Sequence, residues 1–111
     1  MAETATGTVD SLPPNWEVRR LAQCLRDQLP DLRSRYGLES MALFGSYVRN
    51  EQRPDSDLDV LVTLSRPLSL FDRVGLRDDL ADTLGVPVDV AVRDHLQPRM
   101  ARYILREAME V

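Results

Sequence analysis

Three aspartates near the middle of the chain, Asp55, Asp57 and Asp59, are spaced two residues apart, and the apolar run Val60-Leu61-Val62 follows them directly. Side chains two residues apart on a β-strand point to the same face of the sheet. We therefore expect Asp57 and Asp59 to converge at the start of a buried strand. Two carboxylates held this close repel each other unless a cation lies between them. Hard oxygen ligands with no Cys or His nearby favour Mg²⁺ or Mn²⁺ over zinc.

A magnesium site of this kind predicts a phosphorylated substrate, because Mg²⁺ takes only one or two protein carboxylates and completes its shell with water and phosphate oxygens. Asp89 is a candidate third ligand, since it interrupts an apolar run from Val86 to Val92 that predicts another strand. An ionised carboxylate is costly to bury unless it faces a cation or an arginine. If the two strands are neighbours, Asp89 joins the same site. The alternative is a half-exposed strand residue or a salt bridge to an arginine.

Gly45 and Ser46 follow a short apolar segment, Ser40 to Phe44, that predicts a strand ending in a sharp turn. A short helix is expected to begin at this turn and to run through Arg49. Backbone N–H groups at such a helix start, together with a serine hydroxyl, can bind phosphate oxygens, and glycine lets the phosphate approach the main chain. The alternative is an ordinary turn without a ligand.

The spacing of Asp55, Asp57 and Asp59 also matches the first, third and fifth positions of an EF-hand calcium loop. The sixth position of that loop requires glycine and is Val60 here, and the twelfth requires glutamate and is Arg66. The sequence therefore excludes an EF-hand.

Composition narrows the classes of function further. The 111 residues suffice for one small domain, and the net charge of −4 provides no electrostatic basis for direct nucleic-acid binding. All 14 basic residues are arginine, which excludes a P-loop lysine and a Schiff-base lysine. A lone cysteine, Cys24, fits a reducing cytoplasm. No apolar segment is long enough to span a bilayer, so we expect a cytoplasmic protein without a membrane partner.

Apolar periodicity predicts one domain over residues 15–111, preceded by a flexible tail over residues 1–14. The first helix is expected to start after Asn15 as N-cap, to be interrupted near Pro30 and to close at Gly37.

Three strands are expected, at about residues 40–44, 58–63 and 86–92. Ser69 and Asp72 resemble a capping box for a helix that ends at Leu84, and Asp94 is expected to cap a last helix. The order α-β-α-β-α-β-α predicts an α/β fold in which helices flank a small mixed three-stranded sheet.

Taken together, these residues resemble the DNA polymerase β-like nucleotidyltransferase superfamily, and most closely its minimal nucleotidyltransferase members. The core of the resemblance is Gly45-Ser46, ten intervening residues and then Asp57-x-Asp59. It extends over about residues 15–111 and includes further matching residues: Phe44, Arg49, Ser56, Val88-Asp89-Val90, Leu96-x-Pro98-Arg99 and Ile104-Leu105-Arg106-Glu107-Ala108. The usual Ala-Arg-Gly of the family is Val48-Arg49-Asn50 here, and Asn tolerates the left-handed backbone that Gly would adopt.

The resemblance implies a role for each matching site residue. Asp57, Asp59 and Asp89 would hold two Mg²⁺ ions and perform the catalysis, with Asp89 a candidate for removing the acceptor proton. The turn at Gly45 and Ser46 would bind the triphosphate of the incoming nucleotide. The two remaining residues assigned to nucleotide binding are Arg49 and Ser56.

Minimal members of this family are widely the antitoxins of two-gene modules whose toxin is a HEPN-domain ribonuclease. The resemblance therefore implies an enzyme that transfers AMP from ATP to a tyrosine of a HEPN toxin. Since larger members carry an extra acceptor-binding domain, we expect the acceptor to be recognised by another chain or by a second copy of this one in a homo- or hetero-oligomer, or by the N-terminal tail. Two alternatives remain open: an antitoxin that masks the toxin by binding alone, and a dimeric nucleotidyltransferase for small molecules such as aminoglycosides.

Overall fold

The computed structural model describes residues 7–111. Within them the α-helices are Glu17–Tyr36 (α1), Leu70–Leu84 (α2) and Pro98–Glu107 (α3). The strands are Gly7–Thr8 (β1), Leu38–Phe44 (β2), Leu58–Leu64 (β3), Val88–Val92 (β4) and Met109–Glu110 (β5). Short 3-10 helices occupy Val9–Ser11, Ser46–Arg49 and Arg93–His95.

The strands form one mixed sheet in the order β1-β5-β2-β3-β4. β2 is antiparallel to β3 and β5, whereas β3 is parallel to β4 and β1 is parallel to β5. The predicted α/β fold with a mixed sheet is therefore confirmed, and the three predicted strands are its three long ones. The sequence did not predict β1 and β5, because two-residue strands are too short to show alternation.

The two faces of the sheet are covered unequally. One face packs against α1 and α2 and forms the main core, which includes Val60 and Val62 of β3 and Leu76 and Leu80 of α2. On the other face, α3 contributes Ile104 to a cluster of four buried residues. The remaining members of this smaller cluster are Ala42, Leu61 and Ala108.

Residues 7–14 do not form the flexible tail that we predicted. Gly7 and Thr8 pair with Met109 and Glu110 of β5, and Val9 is completely buried in the main core. The N-terminal segment is held in place because its backbone forms a sheet edge, Val9 joins the main core and Leu12 packs against that core. Residues 1–6 of the predicted tail lie outside the described residues.

The predicted interruption of the first helix at Pro30 is also wrong, because α1 continues through this residue. A proline inside a helix removes one backbone hydrogen bond and costs about 3 kcal/mol. Burial of the apolar stripe on both sides of it, which includes Leu25 and Leu32, offsets that cost. The N-cap is Trp16 rather than Asn15, and the helix closes at Gly37 in the left-handed conformation as expected.

The second helix follows its prediction, since the Ser69 hydroxyl accepts a hydrogen bond from the backbone N–H of Asp72 at 3.0 Å. The last helix starts later than predicted. Asp94 lies in a separate 3-10 turn, and α3 begins at Pro98 with Gln97 as its N-cap. Proline favours the first helical position and disfavours helical backbone in the residue before it, which explains the late start. Within residues 7–111, no helix is long and apolar enough to cross a membrane.

Candidate active site

The parallel pairing of β3 and β4 places two of the predicted carboxylates side by side. Asp59 and Asp89 are direct partners in the register of these strands, so their side chains emerge on the same face about 5 Å apart at the backbone. Asp57 lies immediately before β3. The condition under which Asp89 could join the site, that its strand lies beside the strand of Asp59, is met.

The three aspartates differ in exposure. Asp59 is half-buried, whereas Asp57 and Asp89 are exposed to solvent. The exposure of Asp89 agrees with the alternative of a solvent-facing strand residue. Its position beside Asp59 agrees with the role of a third metal ligand. A role for Asp89 in binding metal stays a prediction.

Asp59 carries an electrostatic penalty. Burial, followed by the negative charges of Asp89, Asp57 and Glu107, raises its pKa from 3.8 to about 6, and the positive charge of Arg49 counteracts this only in part. In the absence of a cation, this carboxylate is therefore held in an environment that disfavours its charge. A bound cation would remove that penalty.

The carboxylates of Asp57, Asp59 and Asp89 also have no bonding partner in the part of the protein that the structure describes. Within residues 7–111, no hydrogen bond or ion pair engages any of them. Four other aspartates do pair with arginines, at Arg26–Asp10, Arg35–Asp31, Arg35–Asp79 and Arg77–Asp78. Acidic side chains that cluster without an arginine partner have free lone pairs for a hard cation.

A metal cage is not preformed, since no three acidic, His or Cys side chains among the described residues are arranged as one. This agrees with the chemistry of Mg²⁺, which binds proteins through one or two carboxylates and takes its remaining oxygens from water and phosphate. Asp57 and Asp59 therefore fit a magnesium ion that arrives with a phosphorylated substrate.

The Gly45-Ser46 turn lies directly against Asp59. Gly45 has φ +82°, a conformation that side chains other than glycine rarely adopt, and a Cβ atom there would overlap Asp59 Oδ2. The predicted short helix follows as the 3-10 helix Ser46–Arg49, and Asn50 takes the left-handed conformation, with φ 55°. Glycine at position 45 thus allows the turn and the acidic cluster to meet.

Two other predicted nucleotide-binding residues make contacts within the protein. The guanidinium group of Arg49 donates to Glu51 Oε1 at 2.7 Å and to Glu107 Oε1. The Ser56 hydroxyl accepts a hydrogen bond from the backbone N–H of Arg53 at 2.8 Å and closes the loop before β3. Their binding to nucleotide remains a prediction.

Glu107 was not assigned a role from the sequence. Its Oε2 accepts a hydrogen bond from the backbone N–H of Gly45 at 2.7 Å, across 62 positions of sequence. No local pattern marks a contact over that separation, because it depends on how α3 packs against the sheet.

Among the described residues, one sizeable pocket lies away from the acidic cluster. A pocket of about 440 Å³ lies at the opposite ends of β3 and β4, where Leu64, Arg66, Arg73 and Val92 contribute to its wall. We place the candidate site at the acidic cluster, since phosphate and metal recognition depends on charge and on exposed donors rather than on an apolar cavity.

Comparison with known proteins identifies the family. Residues 25–111 match the nucleotidyltransferase domain family. The protein adenylyltransferase MntA of Thermococcus cleftensis is 38% identical over 81 residues, which are 73% of this chain and 82% of that protein. A solved structure assigned to the minimal nucleotidyltransferases is 37% identical and has a TM-score of 0.68, covering 80% of this chain and 91% of its own.

Two structures of toxin–antitoxin complexes share the fold at lower identity. One, solved with AMP-PNP, is 24% identical, with a TM-score of 0.64, over 85% of this chain and 71% of that chain. The other joins a tri-AMPylated HEPN toxin of Shewanella oneidensis to an MNT antitoxin and is 23% identical, with a TM-score of 0.56, over 82% of this chain and 65% of that chain. The match over residues 25–111 and the 38% identity to a protein adenylyltransferase show that this chain belongs to the nucleotidyltransferase domain family.

Proposed function

We propose that this protein is a magnesium-dependent adenylyltransferase that acts as an antitoxin in the cytoplasm, transferring AMP from ATP to a tyrosine of a HEPN-domain toxin. The observation that carries the proposal is the direct contact between the Gly45 turn and the Asp59 carboxylate. This contact brings the candidate phosphate-binding backbone to the candidate metal ligands, as transfer of a nucleotidyl group requires.

Each element of the site has a role in this reaction. Asp57 and Asp59, with Asp89 beside them, would bind two Mg²⁺ ions. Such a pair of ions stabilises the attacking and leaving oxygens of an in-line displacement at phosphorus. The Gly45-Ser46 turn would hold the triphosphate, with backbone N–H groups and the Ser46 hydroxyl as donors. Asp89, an exposed carboxylate at the edge of the cluster, would accept the proton of the tyrosine hydroxyl as its oxygen bonds to the α-phosphorus of ATP and the bond to the leaving pyrophosphate breaks.

The partner and the nucleotide are inferred from relatives. Two toxin–antitoxin complexes, one with a tri-AMPylated HEPN toxin and one with AMP-PNP, each contain a chain that shares the fold of this protein, and they support a HEPN protein as acceptor and ATP as donor. Cys24 is free and half-buried, which is consistent with a reducing compartment.

The proposal is tested by incubating the protein with ATP, Mg²⁺ and the helical protein encoded beside it, followed by intact-mass measurement of that partner. We expect a gain of one or more AMP units on tyrosine. The double variant D57A/D59A should transfer none and should fail to protect cells from the partner. D55A is the matched control, because Asp55 is an exposed carboxylate in the same loop that lies outside the proposed site.

An antitoxin that acts by masking gives a different result. If the wild-type protein adds no mass to the partner and the D57A/D59A variant still protects cells, the catalytic proposal is wrong and binding alone accounts for protection. Transfer by wild type together with loss of protection in the variant would exclude masking.

A further inference from the structure

Both carboxylate oxygens of Glu107, the last residue of α3, contact the candidate phosphate-binding turn. Oε2 accepts from the backbone N–H of Gly45 at 2.7 Å, and Oε1 accepts from the guanidinium group of Arg49. Gly45 immediately precedes the 3-10 helix of the turn, and Arg49 is its last residue. One carboxylate therefore binds both ends of the turn.

The main chain on the far side of Glu107 is fixed. Ala108 is completely buried, and the next two residues form β5, in which Met109 pairs with Leu43 and Glu110 with Ala42 of β2. Glu107 is thus attached to the same strand, β2, that leads into the turn. Its side chain is only 26% exposed, so few other groups can reach its carboxylate.

The charge of Glu107 is unfavourable for a general stabilising role at this place. It adds a further negative charge to the surroundings of Asp59, beside a turn that would receive a triphosphate. A neutral acceptor would also satisfy the Gly45 N–H, and it would do so without that cost. What a carboxylate adds is a charge-assisted bond to Arg49, which fixes the guanidinium group while partly neutralising the acid.

We propose that Glu107 is a positioning residue for nucleotide binding, which holds Gly45 in its positive-φ conformation, with φ +82°, and fixes the guanidinium group of Arg49 at the other end of the turn. This inference rests on the proposed function. It predicts that loss of Glu107 raises the KM for ATP and leaves kcat largely unchanged, because the carboxylates that face the reacting atoms are untouched.

The first test requires no nucleotide. In the ¹⁵N–¹H NMR spectrum of the wild-type protein, the Gly45 amide proton should resonate downfield and exchange slowly, as expected for a short bond to a carboxylate. E107A should move this resonance upfield and speed its exchange. E110Q, which neutralises a nearby exposed carboxylate, is the matched control and should leave it in place. An unchanged Gly45 resonance in E107A would overturn the inference.

The second test measures ATP binding and transfer kinetics with Mg²⁺ for the same variants. We expect E107A to raise the KM and the Kd for ATP about tenfold or more, with kcat within about twofold of wild type. E107Q, which keeps an acceptor for Gly45 and loses the charge, should fall between E107A and wild type. R49A should add little to E107A, because the two side chains act together.

The outcomes separate the two proposals. If wild type binds and transfers AMP but E107A has the KM of wild type, only the role of Glu107 is wrong. A fall in kcat with an unchanged KM would also overturn it, since that would assign Glu107 to the chemical step. If wild type neither binds ATP nor transfers AMP, the proposed function fails, and the inference about Glu107 falls with it.

Discussion

The two faces of the sheet perform different tasks. The face covered by α1 and α2 contains the main core and holds the fold together. The face covered by the short helix α3 buries only a cluster of four residues, and at its edge lie the aspartates, the Gly45 turn and Glu107. Alternation along β3 produces this division, because Leu58, Val60 and Val62 point to the main core while Asp59 and Leu61 point to the other face.

This difference shows how a small domain can tolerate a repulsive acidic cluster. The free energy of folding comes mainly from one face, so the other can hold groups that are unfavourable without a ligand. Substitutions on the core face should therefore lower stability, whereas neutralising substitutions at the acidic cluster should weaken ligand binding without lowering stability.

The largest loss of stability is expected on the core face. Leu76 is completely buried, and L76A should lower the free energy of unfolding by about 2–5 kcal/mol, because it leaves a cavity in the main core. The folded fraction should bind ATP and Mg²⁺ with the affinity of wild type. Urea denaturation and calorimetric titration measure the two quantities. A variant that stays folded yet binds ATP tenfold more weakly would break the separation of the faces.

A substitution at Gly45 should affect both stability and binding. G45V introduces a side chain that meets Asp59 Oδ2 and must adopt φ +82°, so we expect a cost of about 2–3 kcal/mol and loss of detectable ATP binding. Urea denaturation and calorimetric titration with ATP and Mg²⁺ measure the two losses.

G85V is the matched control for Gly45, because Gly85 also has a positive φ, +72°, but a Cβ atom added there would meet no other atom within 4 Å. It should cost only the backbone strain, about 1–2 kcal/mol, and leave ATP binding intact. If the two variants bind ATP equally well, Gly45 is not part of the phosphate site.

Because burial and neighbouring negative charges disfavour the ionised form of Asp59, the stability of the protein should depend on pH. The pKa of Asp59 in the folded protein, about 6, exceeds its ordinary value of 3.8, so the native state binds this proton more tightly than the unfolded state does. Wild type therefore loses stability from Asp59 as pH rises through this range.

D59N removes this pH-dependent loss. It should be more stable than wild type by about 1 kcal/mol at pH 7.5, a value reduced because solvent screens a half-buried carboxylate, and the difference should shrink as pH falls to 4.5. Chemical denaturation at several pH values measures it, with D55N as the control. A difference that stays constant with pH would show that Asp59 is not strained in the folded protein.

The smallest effect is expected at Ser46. S46A removes one hydroxyl donor among several groups that would contact the phosphates, so ATP affinity should fall about threefold to tenfold with little change in stability. Titration calorimetry measures this loss. An affinity equal to that of wild type would leave only the backbone of the turn in the site.

Features of the candidate site that depend on a few consecutive residues could be predicted from the sequence. Features that depend on contacts between distant residues could not. Asp57, Asp59 and Gly45 could be proposed as site residues from the sequence, because strand alternation and the glycine turn are properties of a few consecutive residues. Placing Asp89 beside Asp59 required only that their two apolar strands be adjacent in the sheet. The structure shows that these strands, β3 and β4, pair directly.

The missed features depend on tertiary contacts. Pro30 remains inside a helix because core packing offsets its local cost, and Val9 is fixed by a two-residue strand that has no periodicity. Glu107 contacts Gly45 across 62 positions of sequence, so nothing near either residue predicts the pair. The contact of Glu107 joins the C-terminal helix to the candidate site.

The most direct test of the shared metal and nucleotide site is the thermal stability of wild type, D57N and D59N with and without Mg²⁺ and ATP. A ligand that binds only the native state at 100 times its Kd adds about 2.7 kcal/mol to stability. We expect the wild-type protein to melt higher with Mg²⁺ and ATP together. Without ligand, both variants should melt no lower than wild type, and both should lose the increment. An increment equal to that of wild type in both variants would contradict a shared metal and nucleotide site at Asp57 and Asp59.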